Sequence, residues 1–113
     1  MSVVAPFPAL RDRRSQASFD RAELQRILDL YGRMVAAGQW KDYAMSFERD
    51  VASFSAFRRA TERPDIRIEK RPQLRAKQGA YALVGEHGAV LKRGHELAGV
   101  LAPLERRLLR IVE

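Results

Sequence analysis

The feature that most limits what this chain can fold into is a change of apolar period, from helical to strand-like and back. Leu24, Ile27, Leu28, Tyr31 and Val35 recur at offsets of 3, 4, 7 and 11 residues, with Leu30 and Met34 widening the stripe, as one face of an α-helix requires. From Tyr43 to Lys92, apolar residues recur at every second position in short runs separated by turn residues. Leu97, Val100, Leu101, Leu104, Leu108 and Ile111 then restore the helical spacing. The strand-like runs are joined by connections too short for parallel crossovers. The order predicts an α+β domain: an antiparallel sheet of four or five strands in a meander, with an N-terminal and a C-terminal helix packed on one face.

Local signals place the boundaries. Asp20 has an oxygen for the first free N–H groups of a helix and Glu23 stands three residues on, so the pair reads as a capping box, with Phe19 and Leu24 as its apolar staple. Gly38 is the stop. Tyr43, Met45 and Phe47 alternate with Ala44, Ser46 and Glu48, and Arg49-Asp50 turns into Val51–Arg59. Pro64-Asp65 opens a third run, Ile66 and Ile68 alternating with Arg67 and Glu69, which Pro72 ends. Gly79–Gly85 and Ala89–Lys92 flank Glu86-His87-Gly88 as a hairpin. Pro103 lies inside the last stripe and removes the hydrogen bond to the Gly99 carbonyl, which predicts a kink rather than a break.

With 113 residues, 46% of them apolar, the chain suits one packed domain. Residues 1–18, with Pro6, Pro8 and the cluster Arg11, Arg13, Arg14, carry no apolar period and read as a mobile tail before a domain over 19–113. No apolar run approaches the roughly 20 residues of a membrane span, and Met1 to Pro8 lack the basic start of a signal peptide. Without cysteine there is no disulfide, thiolate nucleophile or cysteine metal site, and the expected home is the cytoplasm. The net charge of +7 is local: residues 58–77 hold eight basic groups against three acids. Such an excess attracts anions.

Five strings taken together carry a family resemblance: Leu30-Tyr31-Gly32-Arg33-Met34-Val35-Ala36-Ala37-Gly38, Trp40-Lys41-Asp42-Tyr43, Arg67-Ile68-Glu69-Lys70, Lys77-Gln78-Gly79-Ala80-Tyr81 and Leu91-Lys92-Arg93-Gly94-His95-Glu96-Leu97. On these the chain resembles an uncharacterised bacterial family, domain of unknown function 2794, over about residues 19–113. The resemblance implies no activity, cofactor, ligand or catalytic residue.

The candidate sites are therefore read from the residues. Arg67, Lys70, Arg71, Arg75 and Lys77 in the basic segment 58–77 could track a nucleic-acid backbone, with Phe54, Phe57 and Tyr81 near enough in sequence to stack on bases. Against this, Arg63, Asp65, Arg67, Glu69 and Arg71 alternate in sign along one strand face, the pattern of a solvated, self-paired surface or a charged edge. Lys92, Arg93 and His95 sit where a strand meets a helix start and could hold an anion. Trp40 follows the first helix and reads as core or as an anchor for a partner. Leu109 and Val112 fall off the last stripe and, if exposed, suggest a dimer. His87 and His95 have no second metal ligand at useful spacing, and Ser46, Ser53 and Ser55 lie in strand patterns without a base beside them, so no metal, cofactor or catalytic group is assigned. The favoured function is a small non-enzymatic interaction module, for a protein partner or as a homodimer. An accessory nucleic-acid-binding role ranks second, and an anion- or small-ligand-binding domain or enzyme third.

Overall fold

Asp20 begins the first helix, α1 (Arg21–Ala36), through the capping box that its spacing to Glu23 predicts. The Asp20 carboxylate accepts from the Glu23 N–H at 2.8 Å and the Glu23 carboxylate accepts from the Asp20 N–H at 2.8 Å. Two N–H groups that a helix start leaves free are thereby satisfied. At the other end Gly38 takes φ 77°, a conformation that glycine enters at little cost, and the chain turns back toward the sheet. The computed structural model describes residues 16–60 and 63–112. Most of the expected tail falls outside these residues. Ala17, within that tail, is buried and donates its N–H to the Glu48 carbonyl at 2.8 Å.

The period-two stretch forms β1 (Asp42–Phe47), β2 (Ala52–Phe57), β3 (Ile66–Lys70), β4 (Tyr81–Gly85) and β5 (Val90–Gly94), and α2 (Leu97–Val112) follows. The strands lie side by side in chain order, each antiparallel to the next, so the fold is an α+β meander of five strands. The β3–β4 connection carries a short 3-10 turn (Pro72–Leu74) and closes on Gly79. A side chain at Gly79 would put its Cβ 2.3 Å from the Gly94 carbonyl, so only glycine lets this connection lie against the end of β5.

Directly opposed residues of an antiparallel sheet share a face. Phe54, Ile68 and Leu83 form one such row, and with Ala52, Ala56 and Ile66 they meet both helices. From α1 the core takes Ile27, Leu30 and Met34; from α2 it takes Leu97, Val100, Leu101, Leu104 and Leu108. The centre of the α1 stripe thus differs from the expected one. Leu30 and Met34, read as its widening, are buried at its centre, while Leu28 and Val35 are 36% and 40% exposed. The helix is turned so that Leu28, Tyr31 and Val35 form its flank beside β1, where Tyr31 stacks on Trp40 at 6.0 Å and meets Tyr43 edge-on at 5.0 Å. Helix α2 runs unbroken through Pro103.

The most charged strand, β3, is the central one, and its acids are inside. Glu69 bonds Arg67 Nε at 2.8 Å and Arg71 Nε at 3.4 Å, the alternation of sign that the sequence displays, but Glu69 is buried rather than solvated. Asp65 leaves the alternation altogether because it precedes the paired stretch. Its carboxylate accepts from Trp40 Nε1 at 2.9 Å and pairs with Arg107 at 2.9 Å and Arg58 at 3.0 Å. One buried acid therefore ties the loop after α1, the end of β2, the start of β3 and α2 together. On the helix side Lys70 bonds Glu23 at 2.7 Å, and the Tyr81 hydroxyl donates to the same carboxylate. Burial pushes the Glu23 carboxyl up, but the hydrogen bonds from Lys70, Tyr81 and the Asp20 N–H outweigh it and hold it below its ordinary value. Burial and then Glu23 push Tyr81 up to about 12.

Candidate functional site

Every residue of β1 is exposed, although it pairs with β2 in unbroken register from Asp42 to Phe47. It is an edge strand, so half its backbone N–H and C=O groups point away from the sheet, and no described strand pairs with them. Tyr43, Met45 and Phe47 oppose Ala56, Phe54 and Ala52, which puts them on the helix side, yet they remain 41%, 37% and 40% exposed. Packing anchors this row from behind. Tyr43 stacks on Phe54 at 5.1 Å, and Phe47 meets Phe19 at 6.5 Å. With Leu28 and Val35 on the flank of α1, the row makes an apolar surface of five large side chains bordered by an open strand edge. Burial, with Asp42 and Tyr43 adding, pushes the Tyr31 hydroxyl up, so the ring between helix and strand stays neutral.

The residues singled out in sequence scatter by comparison. Trp40 is 2% exposed, with its indole N–H given to Asp65, which makes it part of the core rather than a free anchor. Lys92 and Arg93, adjacent on β5, point to opposite faces: Lys92 opposes Leu83 and Arg93 opposes Ala82. They do not converge with His95, which is exposed in the bend before α2. Lys70 turns inward to Glu23, and Arg75 and Lys77 are exposed in the β3–β4 connection. Arg67 and Arg71 share the face of Arg93, away from the helices. Leu109 is 60% exposed on α2, while the Val112 side chain lies outside the described ones. The bare row on β1 was missed. Its signal was Tyr43-Ala44-Met45-Ser46-Phe47, five residues without a charge, which becomes a surface only once the strand is known to lie at an edge.

Fold and surface together define a two-layer α+β domain with one open, apolar sheet edge. The chain belongs to the family described as Protein of unknown function (DUF2794), whose model matches residues 17–101 and so takes in α1, all five strands and the start of α2. Comparison with curated proteins and with solved structures finds no match. Among the described residues no helix is long and apolar enough to cross a membrane, and no group of three His, Cys, Asp or Glu converges on a point.

Proposed function

We propose that this protein is a small interaction module that docks through the β1 edge, and that its partner is a second copy of the same chain. The observation that carries this reading is the exposed row Tyr43, Met45 and Phe47 on an edge strand whose outward backbone groups pair with no described strand, the Tyr43 N–H being held by the Asp42 carboxylate at 2.8 Å. Backbone pairing at such an edge supplies affinity, and the alternate side chains supply specificity. A two-fold axis at Met45 sets Met45 against itself, Tyr43 against Phe47 of the second copy, and Ala44 against Ser46. In that register Asp42 opposes Glu48 and Lys41 opposes Arg49 of the second copy, like-charged pairs that oppose pairing at each end and leave the uncharged centre of the strand to supply the affinity. The axis keeps both helix layers on one side of a continuous sheet, so the Leu28 and Val35 flanks of the two α1 helices approach across it. That contribution is needed, because a stable interface buries more than about 1,000 Å² and one strand pair supplies less.

The nucleic-acid reading of residues 58–77 has weaker support. In that segment Arg58, Arg67, Lys70 and Arg71 pair with Asp65, Glu69 or Glu23 and so present less charge to a phosphate backbone. Sedimentation equilibrium of the full chain over a hundredfold range of concentration tests the proposal. The expected result is a reversible monomer–dimer curve. A monomer at every concentration contradicts the second copy as partner, and salt-dependent retention on duplex or single-stranded DNA with no dimer favours the weaker reading.

A further inference from the structure

We infer that the sheet face turned away from the helices holds a site for a small oxyanion of the phosphate class, built by Arg93, Arg71 and Arg67. The register assembles it. Ala82 opposes Arg93 on one side and Glu69 on the other, and Glu69 opposes Ser53, so these four stand in one row across β5, β4, β3 and β2. Arg67 and Arg71, two residues before and after Glu69, share its face. Ala82, fully buried, is the floor: a single methyl between two strands that carry long cationic side chains, whose stems can lie over it.

The charges do not balance. Three guanidinium groups share this part of the face with one carboxylate, which leaves two positive charges in excess. Glu69 takes only Nε of each neighbour, at 2.8 Å from Arg67 and 3.4 Å from Arg71, and these side chains are 39% and 35% exposed, so their Nη ends stay accessible. Glu69 itself repels an anion, and its part is to orient the two guanidinium groups. The decisive atom is Arg93 Nη1, which is buried and has no hydrogen-bond partner. A buried donor on a charged group calls for an acceptor. A phosphate-class anion has oxygens in a tetrahedral array and up to two negative charges, so it can satisfy Nη1 while bonding Arg67 and Arg71 and offset the excess, whereas a carboxylate is planar and carries one charge. Sulfate shares this geometry and is fully dianionic near neutral pH, where phosphate is partly protonated, so both belong to the class.

The test is a titration of the isotope-labelled full chain with inorganic phosphate, and separately with acetate, at constant ionic strength, read by amide and arginine Nε–H chemical shifts. Phosphate should give saturable shifts at Arg93, Arg71 and the neighbouring residues of β3 to β5, and acetate should bind at least tenfold more weakly. Arg93→Gln should raise the phosphate dissociation constant about tenfold, the equivalent of one charge-assisted hydrogen bond. Lys92→Gln, one residue away on the opposite face, should leave it unchanged. If Arg93→Gln does not fold, Arg71→Gln serves in its place with a smaller loss expected. Shifts scattered over the exposed cations, no saturation in the wild-type chain, or an undiminished response in the variants would overturn the site. Equal binding of acetate would overturn the phosphate class.

Discussion

The two edges of this sheet are built on opposite principles. At β5 the outer strand carries Lys92 and Arg93, and its pairing with β4 slips between Leu83 and Val84. Charge and a register slip are the usual means of keeping an edge from recruiting another strand. At β1 the pairing is regular, no charge falls between Asp42 and Glu48, and three large apolar side chains stay about two-fifths exposed. The sheet thus protects one edge and leaves the other bare, and the proposed docking rests on that asymmetry. Exposed apolar residues at β5, Val90 and Leu91, sit beside the slip and the charges, so exposure alone does not distinguish the two edges. The combination of regular backbone, uncharged run and apolar row at β1 does.

The largest effect expected is on the interior that both edges share. Asp65→Ala leaves the Trp40 N–H and Arg107 without their buried acceptor, and urea unfolding should register a loss of about 3–5 kcal/mol. A loss under about 1 kcal/mol would mean that the acid does not hold the two halves of the sheet and the helices together. Next is Met45→Lys, which sets like charges against each other at the proposed axis. It should weaken self-association about a hundredfold while the monomer keeps its melting temperature. Unchanged association would break the comparison at its centre.

Smaller effects come from the ionic contact that ties the start of α1 to β3 and β4. Glu23 has a lowered carboxyl pKa in the folded protein, so its contribution to stability is present above its ordinary 4.5 and is lost as pH falls through the lower folded value. A pH series of thermal melts should show that loss in the wild-type chain, and Glu23→Gln should flatten it. Tyr81, raised to about 12, contributes in the opposite sense. Its share is present below 10.0 and fades as pH climbs toward about 12, and Tyr81→Phe should remove that alkaline slope. Smallest is Leu91→Lys on the β5 edge, which should change stability by no more than about 0.5 kcal/mol and leave self-association as it was.

Much of the fold is legible in the residues themselves. Asp20 and Glu23 sit at the spacing of a capping box and form one, and Gly38 stops the helix by the positive φ that its lack of a side chain allows. The five runs become five strands in chain order because the connections are short. The centre of the α1 stripe was not legible. Leu28 and Val35 are as apolar as Leu30 and Met34, and only the width of the sheet decides which pair it covers. Nor was the fate of Asp65, whose side chain follows the break before β3 rather than the alternation within it. Lys92 and Arg93 diverge because β5 runs on to Gly94, past the expected end at Lys92, and consecutive strand residues face opposite ways; register decides which of the two faces the helices. The unpaired Arg93 nitrogen appears only once that register is fixed.

The proposed β1 pairing is tested most directly by Met45→Cys, since the chain has no cysteine of its own. Opposed residues at a strand pair lie about 4.5–5.5 Å apart between Cα atoms, close enough for a disulfide. Under mild oxidation at low protein concentration this variant should form a covalent dimer rapidly, and Leu91→Cys on the other edge should stay monomeric. Cross-linking of the two variants at equal rates, or none at position 45, would contradict pairing through β1.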